Sequence, residues 1–125
     1  MGFKITLLGF TALLPLIMIG FGRFFLKKAP DDINYVFGYR TAMSMKNKDT
    51  WIFAHKHIGK TWFYLGLVIL PVSVIILLAF FGRDKDTFEN AGTVIILLQL
   101  IPLIGSIFPT EAALKKTFDE DGNRR

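Results

Sequence analysis

Cysteine is absent from the 125-residue chain, and no Asp, Glu, Lys, Arg or His lies within any of its three long apolar runs. Without cysteine there are no disulfides, no thiolate nucleophile and no sulfur ligand for a soft metal. Without a titratable group near the middle of an apolar run, a proton-coupled pump or ion-selective transporter has little to work with. The two absences argue against thiol chemistry and against ion pumping.

The apolar runs cover residues 5–22, 62–81 and 91–108, and contain 18, 20 and 18 residues. As helices they would extend about 27 to 30 Å, which matches the hydrocarbon core of a bilayer. Lipid offers no hydrogen-bond partners, so single runs of this length satisfy their backbone as helices. The sequence therefore predicts one all-α domain, residues 1–125, built as a bundle of three transmembrane helices in the lipid bilayer. We interpret the first run as a retained helix because no small-residue cleavage site follows it.

The positive charge, formally +5, is concentrated on one side of this predicted topology. Twelve Lys and Arg residues lie in the loop 23–61 and the tail 109–125, against three in the remaining segments. By the positive-inside rule, the long loop and the C-terminus face the cytoplasm and the N-terminus faces outward. Topology thus accounts for the charge, and we do not expect nucleic acid as a partner.

Polar and helix-breaking residues within the runs are the predicted helix-packing positions. Each run has one proline near its middle, which deprives the carbonyl four residues earlier of its donor and favours a kink. Gln99 is the strongest polar group inside a run, and buried amides at that depth usually bond across helices, within a chain or between chains of an oligomer. The packing positions are Gln99, Pro15, Pro71 and Pro102.

The long loop contains a helix start signal before the second run. Asn47 can cap a helix that begins near Thr50, and an apolar stripe then follows at helical spacing. The stripe consists of Trp51, Ala54, Ile58 and Trp62. We interpret this stretch as an amphipathic lead-in helix that lies in the headgroup layer and continues into the second span. The segment 82–90 reads as a short connector between the second and third helices.

Three charged or titratable groups near the membrane have alternative interpretations. Arg40 offers a rigid fork of donors for a lipid phosphate, a helix C-terminus or a carboxylate such as Glu111, and the alternative is a plain headgroup-facing charge. His55 and His57 are two residues apart, about 200° around a helix, which argues against a shared metal. We favour solvent-facing or headgroup-facing histidines over pairing with Glu111 or burial in the bundle.

No enzyme motif is recognisable. The titratable or nucleophilic residues beside the membrane match no nucleophile elbow, zinc protease motif or phosphate-binding loop, so we expect no enzyme, no cofactor and no metal. These residues are Ser44, Asp49, His55, His57 and Glu111.

A spaced set of residues resembles the signature of the SdpI family of small bacterial membrane proteins. The set comprises Asn34, Gly38, Tyr39, Arg40, Thr41, Ser44, Asn47, Trp51, Ala54, His55, Lys56 and Gly59, and is closed by Pro109, Thr110 and Glu111. The resemblance implies a protein of the bacterial inner membrane that confers immunity to a secreted toxic peptide and signals to a cytosolic regulator.

The resemblance also supplies the predicted binding residues for such a partner or for a lipid headgroup. They are Asn34, Gly38, Tyr39, Arg40, Thr41, Trp51, His55, Lys56 and Glu111. Two alternatives remain: a small accessory or scaffold subunit that packs through Gln99 and the kinked helices against a larger membrane complex, and a transporter-like channel formed by oligomers.

Overall fold

The computed structural model describes residues 2–28 and 39–125, which form four helices and a C-terminal turn. The helices are α1 (Gly2–Lys27), α2 (Lys48–Ala79), α3 (Lys85–Gly105) and α4 (Ile107–Thr117). Three helical stretches, the last combining α3 and α4, are long and apolar enough to cross a membrane. The prediction of an all-α membrane bundle is confirmed.

Helix α2 begins where the sequence predicts it. The Asn47 side chain accepts a hydrogen bond from the Thr50 amide at 2.9 Å, and the Thr50 hydroxyl accepts one from the Asn47 amide at 3.0 Å. This reciprocal capping box satisfies two amides that the first turn would otherwise leave unpaired. The helix then runs for 32 residues without interruption, or about 48 Å. It is therefore longer than the hydrocarbon core, and its first turns project beyond the apolar run.

The expectation that the apolar stripe of the lead-in segment faces the headgroup layer is wrong. Trp51, Ala54 and Ile58 are fully buried, and the core cluster around Ala54 and Ile58 includes Phe25 of α1 and Leu114 of α4. The apolar stripe faces protein rather than lipid because the ends of α1 and α4 also extend past their apolar runs and cover it.

Helices α1 and α2 pack with their backbones in close contact. A Cβ atom added at Gly59 would lie 2.8 Å from the Gly22 carbonyl oxygen, and one at Gly66 would lie 2.8 Å from the Pro15 carbonyl oxygen. The contact positions are seven residues apart on both helices, so the same faces meet again after two turns. Small residues at these crossings allow the approach that packing in lipid requires.

Gln99 connects all three spans. Its side-chain amide donates to the Thr11 carbonyl of α1 at 2.8 Å and to the Ser73 hydroxyl of α2 at 2.9 Å. The side chain is 4 % exposed, so it packs inside this chain, as one of the two sequence interpretations held. A role between chains of an oligomer would have to use other residues.

The three prolines occupy different environments. Pro15 is buried against α2, Pro102 is half-buried, and Pro71 lies exposed on α2. Helix α3 ends at Gly105, three residues after Pro102, and α4 begins at Ile107. A packing role for Pro71, and the kinks themselves, stay predictions.

The opposite end of the bundle is closed by Lys4. Its ammonium donates to the backbone carbonyls of Phe81 and Arg83, and lies over the Phe81 and Phe88 rings at 5.2 and 5.3 Å. Both carbonyls lie just beyond the end of α2 at Ala79, where the partial negative charge of the helix C-terminus also favours a cation. Helix α3 begins at Lys85 with Asp84 as its N-cap, so the connector is shorter than residues 82–90.

Candidate functional site

The signature residues meet around His55, in the part of α2 that precedes the apolar run. The His55 side chain is completely buried, with its ring 4.2 Å from Trp51 and 4.9 Å from Phe25, between ring centroids. This burial overturns the solvent-facing or headgroup-facing interpretation. His55 lies four residues after Trp51, on the same face of α2, and the covering ring of Phe25 comes from another helix.

Both ring nitrogens of His55 bond to backbone. Its Nε2 lies 2.8 Å from the Tyr39 amide nitrogen, and its Nδ1 lies 2.7 Å from the Trp51 carbonyl oxygen. An amide can only donate and a carbonyl can only accept, so Nε2 is the acceptor and Nδ1 carries the proton. Burial lowers the pKa of His55 from its ordinary 6.5 and outweighs the opposing effect of the Trp51 carbonyl. The imidazole is therefore a neutral bridge between α2 and the segment at Tyr39.

Tyr39 extends this network to α4. Its hydroxyl donates to Glu111 Oε1 at 2.8 Å, and the side chain is buried in the cluster with Phe25 and Leu114. Burial and the neighbouring Glu111 carboxylate raise the pKa of Tyr39 well above its usual value, which keeps the phenol protonated as a donor. We call Tyr39, Trp51, His55 and Glu111 the motif junction.

Next to the junction, the chain turns back through a compact set of hydroxyl bonds. The Ser44 hydroxyl donates to the Tyr39 carbonyl at 3.1 Å, and accepts a bond from the Thr41 amide at 2.8 Å. The Thr50 hydroxyl in turn donates to the Ser44 carbonyl at 3.1 Å. Ser44 therefore holds the backbone on both sides of Arg40. In the sequence, Ser44 was a candidate nucleophile and a member of the family signature, although a serine three residues after Thr41 is also a turn signal.

Arg40 and Thr41 lie at the polar end of an apolar groove between α1 and the α3–α4 segment. Its cavity volume is about 540 Å³. The groove is lined by Leu14, Ile17, Met18, Phe21, Phe25, Tyr39, Arg40, Thr41, Trp62, Leu103, Ile104 and Ile107. Most of the wall lies within the apolar runs, so the groove continues from the membrane interface into the hydrocarbon region.

The remaining predicted site residues lie elsewhere. Lys56 is exposed on another part of the α2 surface. His57 is half-buried, with Nδ1 3.1 Å from the Thr110 hydroxyl, and the Glu111 carboxylate accepts a bond from the Tyr39 hydroxyl. Asn34 and Gly38 fall outside residues 2–28 and 39–125. Within those ranges, no cluster of three potential metal ligands occurs.

The C-terminal turn, residues 118–125, is a feature that the sequence did not predict. Asn47 Nδ2 donates to the Gly122 carbonyl at 2.7 Å, and Arg124 forms two 2.8 Å bonds to the Asp49 carboxylate. Gly122 has a φ of 85°, a conformation that favours glycine. The turn is thereby fastened to the start of α2, and the Asp-Gly sequence before Asn123 was the available signal.

Comparison with known proteins agrees with the signature. The model of the SdpI/YfhL protein family matches residues 31–110 of this chain, a stretch that contains Tyr39, Trp51 and His55 of the motif junction, Arg40 and two of the three spans, and ends one residue before Glu111. No curated protein and no solved structure matches the chain. The match covers well over half of the 125 residues. The chain is a multi-pass membrane protein that belongs to the SdpI/YfhL protein family.

Proposed function

We propose that this protein confers immunity to a secreted toxic peptide by binding the peptide within the bilayer, in the groove that ends at Arg40. The observation that carries the proposal is the convergence of the signature residues. Tyr39, His55 and Glu111 tie three parts of the chain together directly beside Arg40. The role is one of binding, without a catalytic step.

The chemistry of the groove supports an amphipathic ligand. Its walls are almost entirely apolar, and a volume of about 540 Å³ accommodates several side chains of a bound peptide. At the polar end, the Arg40 guanidinium offers paired donors suited to a carboxylate or a peptide carbonyl. A toxic peptide lying in the membrane presents both features, with an apolar face toward lipid and polar groups at the interface.

We further propose that the chain lies in the bacterial inner membrane with its N-terminus outside and its C-terminus in the cytoplasm. Twelve of its fifteen Lys and Arg residues belong to the segments that this orientation places inside. The junction then projects toward the cytosol, where a regulator is the second proposed partner.

Expression of the chain in a toxin-sensitive strain, followed by challenge with the secreted peptides of related bacteria, tests the proposal. Wild type should protect, Arg40→Ala should lose protection, and Arg40→Lys should recover only part of it because lysine lacks the fork. Arg83→Ala is the matched control, since it removes one exposed arginine at the other end of the bundle. Full protection by Arg40→Ala at equal membrane abundance would remove Arg40 from the site.

The alternative of an accessory subunit has lost part of its basis. It depended on Gln99 packing against a larger complex, but that amide bonds to Thr11 and Ser73 of the same chain. Co-purification of a stoichiometric partner in mild detergent, together with no protection in the challenge, would favour the accessory role.

A further inference from the structure

We infer that Lys56 and Lys60 form a binding site for the phosphate-bearing headgroup of an anionic phospholipid. The two lysines are one helical turn apart on α2, so their side chains extend from the same face. Both are exposed. Lys56 belongs to the family signature, yet it takes no part in the motif junction or in the groove.

The height of the two lysines along α2 matches the headgroup layer. Lys60 precedes Trp62, the first residue of the apolar run, by two residues, or about 3 Å along the helix. Lys56 lies about 6 Å further out. The Trp62 indole donates to the Ser106 hydroxyl at 2.9 Å, which places a tryptophan–serine pair at the same boundary. Tryptophan side chains concentrate at this depth in membrane proteins.

The surface between the lysines is concave and positively charged. A depression of about 350 Å³ is lined by Asp49, Ile52, Phe53, Lys56, His57, Lys60 and Arg124. The Asp49 carboxylate is already bonded twice by Arg124 at the far end. The charges of Lys56 and Lys60 therefore make the electrostatic potential positive at the end of the depression that lies nearer the membrane.

Neither lysine has a neutralising partner in the parts of the chain that the structure describes. The ion pairs there are Lys85 with Glu89 and Arg124 with Asp49. Lys60 also lowers the pKa of the adjacent His57, after the larger effect of burial, so this part of the surface disfavours a further positive charge. A bound anion would reduce the repulsion between these positive charges. Anionic lipid headgroups are the anions present at this depth of the membrane.

Native mass spectrometry of the full chain, released from nanodiscs containing equal amounts of phosphatidylglycerol and phosphatidylcholine, tests the site. Wild type should retain phosphatidylglycerol preferentially. The variant Lys56→Gln with Lys60→Gln should lose that preference by about fivefold per lysine. The matched control, Lys115→Gln with Lys116→Gln, removes two exposed lysines of α4 and should keep it. The variant Lys56→Arg with Lys60→Arg should also keep the preference for phosphatidylglycerol, since both positive charges remain.

Three results would overturn the inference. Equal retention of both lipids by wild type would show that there is no anionic-lipid site. An equal loss in the two glutamine variants would show that diffuse charge attracts the lipid. Displacement of phosphatidylglycerol by inorganic phosphate would assign the surface to a free anion. The lysines lie outside the groove and the junction, so these results are independent of toxin protection.

Discussion

The side-chain amide of Gln99 lies 2.8 Å from the carbonyl oxygen of Thr11, which is the carbonyl that Pro15 leaves without its helical donor. A proline on α1 and a glutamine on α3 therefore compensate each other across the bundle. The side-chain oxygen of the same glutamine, Gln99 Oε1, is buried and has no hydrogen-bond partner among the described residues. The amide orientation is fixed because the Thr11 carbonyl needs a donor.

Gln99→Leu should destabilise the bundle by about 1 kcal/mol, since bonds of this kind between membrane helices contribute roughly 0.6 to 2 kcal/mol. The cost should shrink in a Pro15→Ala background, because residue 15 then supplies an amide to the Thr11 carbonyl. Wild type, the two single variants and the double variant form a double-mutant cycle. Their free energies of unfolding in mixed micelles give the coupling energy between Gln99 and Pro15. An equal cost in both backgrounds would refute the compensation.

Gly59→Ala should push α1 and α2 apart. The new Cβ would lie 2.8 Å from the Gly22 carbonyl oxygen and 3.0 Å from the Leu26 nitrogen, both backbone atoms that cannot rotate away. Overpacking of this kind costs about 1 to 3 kcal/mol. The control is Gly20→Ala, where a Cβ meets nothing within 4 Å. If the two variants unfold at the same denaturant concentration, the close contact is not a determinant of stability.

Acid should destabilise the motif junction through His55. Its pKa in the folded chain is below 6.5, so under more acidic conditions the unfolded state takes up a proton that the folded state does not. The contribution of His55 to the free energy of unfolding is then constant above about pH 6.5, and it decreases as the pH falls toward the pKa of His55 in the folded chain.

The variant His55→Gln should flatten this acid dependence, because its amide oxygen can accept the Tyr39 bond without titrating. His57→Gln should retain most of the slope, since His57 is only half-buried whereas His55 is completely buried, so burial penalises the charged form of His57 less. Thermal unfolding of the detergent-solubilised chains across this pH range provides the measurement. A slope in His55→Gln that equals that of wild type would exclude His55 as its source.

Asn47→Ala should weaken the attachment of the C-terminal turn more than Arg124→Ala does. The first variant loses the α2 cap and the bond to Gly122, at a cost of about 1 to 2 kcal/mol. The second loses an exposed ion pair, and such pairs contribute little in water. Hydrogen exchange of residues 118–125, together with global unfolding, measures the loss in each variant. A larger loss in Arg124→Ala than in Asn47→Ala would contradict the role given to Asn47.

Structural features that depend on residues close together in the sequence were predictable from the sequence. The spans follow from the length of the apolar runs, and the start of α2 follows from the spacing of Asn47 and Thr50. Gln99 was identified as a cross-helix group because an amide in lipid needs a partner. The identity of that partner, the Thr11 carbonyl, required the bundle geometry.

The candidate site was predictable as a set of residues but not as an arrangement. The signature gave Tyr39, His55 and Glu111, whereas His55 was expected to face solvent or headgroups. Its burial depends on Phe25, which lies thirty residues earlier and belongs to another helix. No local pattern encodes that contact.

The sequence by itself determined that the chain is a helical membrane protein, because hydrocarbon length and backbone hydrogen bonding allow only helices for such runs, and its spaced signature residues determined the family. The tertiary structure decided which polar groups take part in packing and which stay exposed. That division arises from contacts between helices distant in sequence: the Gln99 amide donates across the bundle to Thr11 and Ser73, whereas Arg40 and the α2 lysines stay exposed.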